Sequence, residues 1–309
     1  MVNAVSLEGV SKTYDDFHAV RDVSFDAPAG RITGFLGPNG AGKTSTIRMI
    51  LGLLPVSAGR ITVLGGGDAT RVRQRIGFLP EERGLYKRMT PIDAIAFFAG
   101  LKGVPEAEGR RRAKAMLEAQ GLGHVLKKPI KDLSKGMAQK VQLLSALAHE
   151  PELVVLDEPF SGLDPVNQQA LETMIREIAA RGATVLFSTH VMQHAERLCD
   201  KVVLMAKGRK VFDGDVATAR CAAPRVLVLE GDLSAADVAA LPGLGAVTSE
   251  PSPDGGWRHV ADLPQAGARA GVGQDALKAA FARDLALRRF ELKEPSLHDA
   301  FIVLTGGQA

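Results

Sequence analysis

Along the first two thirds of the chain, short apolar runs alternate with stretches in which apolar positions recur at helical spacing. The runs are Ile32–Leu36, Ile76–Leu79, Leu153–Leu156, Ala183–Phe187 and Lys201–Met205. They have the length and composition of strands buried on both faces. Ahead of them, Val5–Glu8 and Val20–Phe25 alternate apolar with polar residues, as half-buried strands do, and Ser57-Ala58-Gly59 turns into a further strand at Arg60–Leu64. Thr90-Pro91-Ile92-Asp93 reads as a helix start, with Thr as cap and Pro in the first turn, and Ile92, Ile95, Phe98 and Ala99 on one face. Helices are also expected over Glu106–Gln120 and 168–180. Strands alternating with helices predict an α/β unit with a mainly parallel sheet covered on both faces.

The pattern changes after Gly214. From Ala222-Ala223-Pro224 onward it reads strand (225–230), helix (234–241), strand (245–249), strand (257–261), helix (274–283), strand (286–292) and helix (296–304). The first six elements have the βαββαβ order of a ferredoxin-like unit, with Pro251–Gly256 as the hairpin loop. The expected domains are therefore 1–215 and a small α+β unit at 222–304. Trp257 and His259 in the second unit read as packing and surface residues.

Composition narrows the function. With 309 residues, 46% hydrophobic and 24% charged, the chain has ordinary globular composition and room for two domains. Only 5% is aromatic, which argues against a base-stacking nucleic-acid surface. A net charge of +3 singles out no anionic partner. Cys199 and Cys221 have no metal-ligand spacing, so a reducing compartment is expected. No signal pattern and no membrane-length apolar run are evident. The run Arg110-Arg111-Arg112 with Lys114 reads as a solvated helix face.

Chemistry enters at Gly37-Pro38-Asn39-Gly40-Ala41-Gly42-Lys43-Thr44, between a strand and a helix that continues through Ser45. Glycines let successive N–H groups turn towards phosphate oxygens, and the helix adds its positive end. Lys43 suits the β- and γ-phosphates and the Thr44 hydroxyl suits Mg²⁺. Gly65-Gly66-Gly67 has no Lys-Thr after it and reads as a turn. Asp157-Glu158 at the end of a buried strand supplies a carboxylate for a bound ion and a second one for a general base. Ser134 and Gly136 at the start of another helix form a second anion-binding geometry. One nucleotide has no use for two cradles in one chain, unless each nucleotide lies between two copies of it. Tyr14 reads equally as strand-end packing and as an adenine-stacking ring.

Over residues 3–215 these motifs resemble the nucleotide-binding subunit of ATP-binding cassette (ABC) transporters. Gly37–Thr44 is similar to Walker A and Leu133-Ser134-Lys135-Gly136-Met137 to the signature loop. Leu153–Asp157 with Glu158 resembles Walker B, Ser161-Gly162-Leu163-Asp164 the D-loop and His190 the switch histidine. Tyr14 falls at the adenine-stacking position. The resemblance implies a P-loop NTPase fold with a mainly parallel core sheet, an antiparallel β subdomain and a helical subdomain. It also implies ATP and Mg²⁺ as cofactors, with Thr44, Asp157 and Glu81 at the metal and Lys43, Glu158 and His190 in catalysis. Glu81 stands where the family usually has glutamine, and Lys135 and Met137 depart from the usual Ser-Gly-Gly-Gln. The implied partners are a second copy of the chain in a head-to-tail ATP sandwich and separate transmembrane permease subunits. That places the chain in the cytoplasm, peripheral to the inner face of the cell membrane. The departures and the appended unit are similar to the exporter branch that includes sodium-extrusion and antibiotic-resistance ATPases. The alternative is a soluble cassette ATPase acting on ribosomes or nucleic acid.

Overall fold

The computed structural model describes residues 2–67, 69–82, 84–263 and 271–306. These fall into two compact units that divide between Val216 and Ala217.

In the first unit, β1 (Asn3–Tyr14), β2 (Phe17–Pro28) and β4 (Ala58–Val63) form an antiparallel sheet in the order β2-β1-β4. Both long strands exceed the alternating stretches that predict them. Register shifts interrupt the β1–β2 ladder, so strict alternation breaks while the pairing continues. The second sheet contains β3 (Ile32–Leu36), β5 (Ile76–Leu79), β6 (Leu153–Asp157), β7 (Thr184–Thr189), β8 (Lys201–Ala206) and β9 (Arg209–Gly214). Its order is β5-β6-β7-β3-β8-β9, parallel except for β9. The edge strand β9 carries only one clearly apolar pair, Val211-Phe212, and no apolar run announces it.

Every residue of β3, β6 and β7 is buried. One apolar core joins Phe35, Val155, Leu186 and Val203 of the parallel sheet to Val5, Val20 and Phe25 of the antiparallel sheet and to Ile47 of α1 (Lys43–Ile50). Burying a side chain such as Phe35 contributes roughly 2–3 kcal/mol. The helices α5 (Pro165–Ala180) and α6 (Met192–Leu198) also pack on this sheet. Three further helices, α2 (Pro91–Gly100), α3 (Glu106–Ala119) and α4 (Lys135–Leu147), pack on one another. On α2 the buried face runs through Ala94, Ile95, Ala96 and Ala99. Ile92 and Phe98 are only half-buried, so the face is turned from the expected one, with Ala96 set against Gly109 of α3. On α3, Arg110 and Arg111 are exposed and Arg112 half-buried. Their guanidinium groups are paired with Glu106, Glu108, Asp93 and Glu150. They form a solvated, self-neutralised face.

In the second unit, β10 (Val226–Asp232), β11 (Val247–Pro251), β12 (Trp257–Asp262) and β13 (Ala286–Lys293) make an antiparallel sheet in the order β11-β12-β10-β13. With α8 (Ala235–Ala239) and α9 (Val272–Ala282) this has the βαββαβ order expected. Leu227, Leu229, Val238, Ala261, Ala276 and Ala280 form its core. The short helix α7 (Val216–Arg220) precedes it and α10 (Leu297–Leu304) follows. His259 is fully buried, bridging Ser249 and the Leu233 carbonyl, while Trp257 is exposed. Among the described residues no helix is long and apolar enough to cross a membrane.

Candidate functional site

Parallel register brings the ends of three buried strands side by side. Leu36 pairs with Thr189, and Asp157 with Ser188. The loop after β3, the carboxylates after β6 and the histidine after β7 therefore emerge together, at the strand ends where open α/β sheets bind ligands.

The loop at 37–42 is shaped by its neighbours' backbones. A Cβ on Gly42, whose φ is +96°, would lie 2.6 Å from the Ala19 carbonyl, and one on Gly37 would lie 2.3 Å from the Met205 carbonyl. Only glycine fits such approaches. Lys43, the first residue of α1, is buried, and its ammonium donates to the carbonyls of Gly37 (2.7 Å) and Pro38 (3.2 Å). It also lies 3.5 Å from Glu158 Oε1.

Asp157 and Glu158 are buried. Ser188 Oγ donates to Asp157 at 2.5 Å and accepts from the Glu158 N–H at 3.0 Å. Burial pushes the Asp157 carboxyl up from its ordinary range, and the neighbouring charge of Glu158 adds to this, against hydrogen bonds from Ser188 and Thr44. Glu158 holds a left-handed backbone, with φ of 45°, uncommon for a residue with a side chain and of the kind that gathers at functional sites. Its Oε2 accepts from His190 Nδ1 at 2.9 Å. A carboxylate only accepts, so Nδ1 carries the proton. Lys43, Thr44, Asp157, Glu158 and His190 thus form one cluster. Ser188, which holds the Asp157 carboxylate and the Glu158 backbone, is absent from the candidates read from the sequence. Its signal was a hydroxyl following the apolar run Val185–Phe187, two residues before His190.

A second group lies at the start of α4. Ser134 caps this helix, accepting from the Met137 N–H at 3.3 Å. Gly136 has the Asn167 side chain where a Cβ would stand, and Asn167 donates to Asp164 at 2.7 Å. Asp164 caps α5, and the Asn167 N–H holds its carboxyl below the ordinary range. The Lys135 ammonium fills the space over Gly162. The signature-like and D-loop-like segments therefore face each other within one chain. Tyr14 is partly exposed at the end of β1, with the Lys12 ammonium 5.1 Å from its ring centre. The strand it pairs with, β2, carries the Ala19 carbonyl that abuts Gly42. Pro38, Asn39, Gly40 and Ala41 complete the loop, and Ser45 lies in the first turn of α1. Glu81 is exposed beyond β5. Among the described residues no three His, Cys, Asp or Glu side chains gather in a way that could hold a metal, so Glu81 does not join Asp157 and Glu158.

The pattern of the ABC transporter family matches residues 20–161. The chain is 36% identical over 304 residues, 98% of each chain, to the ABC transporter ATP-binding protein YhaQ of Bacillus subtilis (strain 168). It is 37% identical to Nod factor export ATP-binding protein I of Ralstonia nicotianae, over 68% of this chain and 66% of the relative. Among solved structures, an ATP-binding subunit of an ABC transporter superposes with a TM-score of 0.64 at 34% identity, covering 70% of this chain and 92% of the other. The loop against β2 and β8, the two buried carboxylates and the paired histidine are thus found in a chain that matches an ABC transporter ATP-binding protein over nearly its whole length, and it belongs to the ATP-binding subunits of ABC transporters.

Proposed function

We propose that this ABC ATPase hydrolyses ATP at a site shared between two copies of the chain. The reading is carried by Glu158, held between the Lys43 ammonium at 3.5 Å and His190 at 2.9 Å. A carboxylate fixed in this way can orient and deprotonate a water, as a general base must. Lys43 would exchange its loop carbonyls for phosphate oxygens, and the N–H groups of Gly40, Ala41, Gly42, Thr44 and Ser45 would line the cradle, with Pro38 and Asn39 shaping it. His190 would contact the γ-phosphate and the attacking water. Tyr14 would stack on adenine. Ser134 and Gly136 of the second copy would close the site from the other side, with Asp164 beside them. Positioning and charge stabilisation supply most of the rate in such phosphoryl transfers.

Thr44 and Asp157 offer a hydroxyl and a carboxylate close enough for the hydroxyl to counter the burial of the acid, and hard oxygen donors beside a buried negative charge suit Mg²⁺. That ion would neutralise the β- and γ-phosphate charge, with Thr44 and Asp157 as its donors from this chain. Transmembrane permease subunits would dock near Glu81–Phe98, where Tyr86 and Phe97 are exposed and packed edge to face, and would place the chain at the inner face of the membrane. Export is the direction favoured, by analogy with the Nod factor relative.

Glu158→Gln is expected to bind ATP, release phosphate at least about a hundredfold more slowly, and accumulate as an ATP-bound dimer on size exclusion. Near-normal phosphate release would remove Glu158 as the base. Co-purification of a polytopic membrane protein with the wild-type chain tests the permease partner, and recovery with ribosomes or DNA instead would oppose it.

A further inference from the structure

Behind the catalytic pair lies a second buried polar contact, between α5 and α6. His194, on the first turn of α6, and Glu172, on α5, have side chains only 3% and 5% exposed. His194 Nδ1 lies 2.9 Å from Glu172 Oε1, so it donates the hydrogen bond. Arg197 donates to the same oxygen at 2.7 and 3.0 Å, fixing the carboxylate from the solvent side. The His194 ring stacks on Phe160, with centres 3.9 Å apart and planes 14° apart. A second ring, Phe187 of β7, packs edge to face on Phe160 at 6.0 Å.

The spacing is informative. Phe160 is two residues past Glu158, and His194 is four past His190. The Phe160–His194 stack therefore brackets the same two segments as the Glu158–His190 hydrogen bond, one layer deeper. The Pro159 carbonyl between them accepts from Gln139 of α4 at 3.2 Å, so the helix capped by Ser134 is tied to this junction as well. A buried imidazole–carboxylate pair is no better for stability than a well-packed apolar pair of the same volume. What it does supply is a fixed geometry.

We propose that His194 is a positioning residue for hydrolysis. Anchored by Glu172, its ring holds Phe160 and so sets where Glu158 stands relative to His190. The inference rests on Glu158 being the base. Small displacements of a reacting group cost about a hundredfold in rate, so the contact acts on turnover and leaves nucleotide binding nearly unchanged.

The test uses the full chain, measuring kcat and KM for ATP with Mg²⁺ well below the melting temperature. His194→Gln keeps a donor for Glu172 but loses the stacking face, and Phe160→Leu removes the other half of the stack. Both are expected to lower kcat about ten- to a hundredfold with KM changed less than about threefold. His194→Phe restores the face without the anchor on Glu172 and is expected to recover only part of the lost kcat. Wild-type kcat in both His194→Gln and Phe160→Leu, alongside an inactive Glu158→Gln, overturns this inference alone. Turnover in Glu158→Gln overturns the reading beneath it and this inference with it.

Discussion

Lys43→Met is expected to destabilise the folded first unit as well as to stop hydrolysis, because the lysine neutralises a buried acidic pair. Lys43 Nζ lies 3.5 Å from Glu158 Oε1, with side chains 6% and 9% exposed. At that separation two unit charges attract by about 5 kcal/mol at an effective dielectric constant near 20. Desolvation offsets part of this, and removing one member of a buried pair costs about 3–5 kcal/mol. Methionine keeps the stem but leaves Glu158 next to Asp157, whose carboxyl is already pushed up by burial and by Glu158 itself. Glu158→Gln, by contrast, relieves that repulsion and keeps an acceptor for His190. Lys43→Met should therefore be the less stable variant, and Glu158→Gln added to it should recover part of the loss. Thermal unfolding without nucleotide at neutral pH reads this directly. A loss of about 3 kcal/mol corresponds to roughly 6–12 °C in a unit of this size. A Lys43→Met melt within about 2 °C of wild type, or a double variant in which the two losses simply add, would refute the reasoning.

Two further outcomes follow from the geometry. His149, with one ring nitrogen on the Ile76 carbonyl, has its pKa lowered from 6.5 to about 4, first by burial and then by the Lys102 charge. The native state then binds fewer protons than the unfolded chain between those values, so stability present above about pH 6.5 is lost as pH falls towards 4. The half-buried ring limits the loss to about 1 kcal/mol, and His149→Gln should flatten that part of the stability–pH profile; an unchanged slope would refute the assignment. In the phosphate loop, Gly40 (φ +79°) has open space where a Cβ would stand, whereas Gly42 (φ +96°) has a carbonyl at 2.6 Å. Gly40→Ala should cost only about 1–2 kcal/mol of backbone strain, whereas Gly42→Ala should also displace the loop from β2 and lose ATP affinity by tenfold or more, and equal effects in a binding titration would contradict this.

The local rules were enough for much of this protein. The buried strands announced themselves because a strand covered on both faces must be apolar throughout, and the caps at Thr90 and Ser134 because orphan N–H groups need an acceptor. The glycines, Lys43 and Thr44 were legible because phosphate binding restricts residue type at fixed spacing. Strand β9 escaped because an edge strand buries too little to carry a pattern. Ser188 escaped because its meaning lies in a register, Asp157 opposite Ser188, that sequence order does not contain. The same holds for Lys43 with Glu158, and for His194 with Glu172 and Phe160. These pairs are separated by many residues, and only the parallel stacking of β6, β7 and β3 and the packing of α5 on α6 bring them together. The sequence by itself determined which elements form and which chemistry they carry. The tertiary structure decided which charges are buried against which, because burial and pairing depend on neighbours that are remote along the chain.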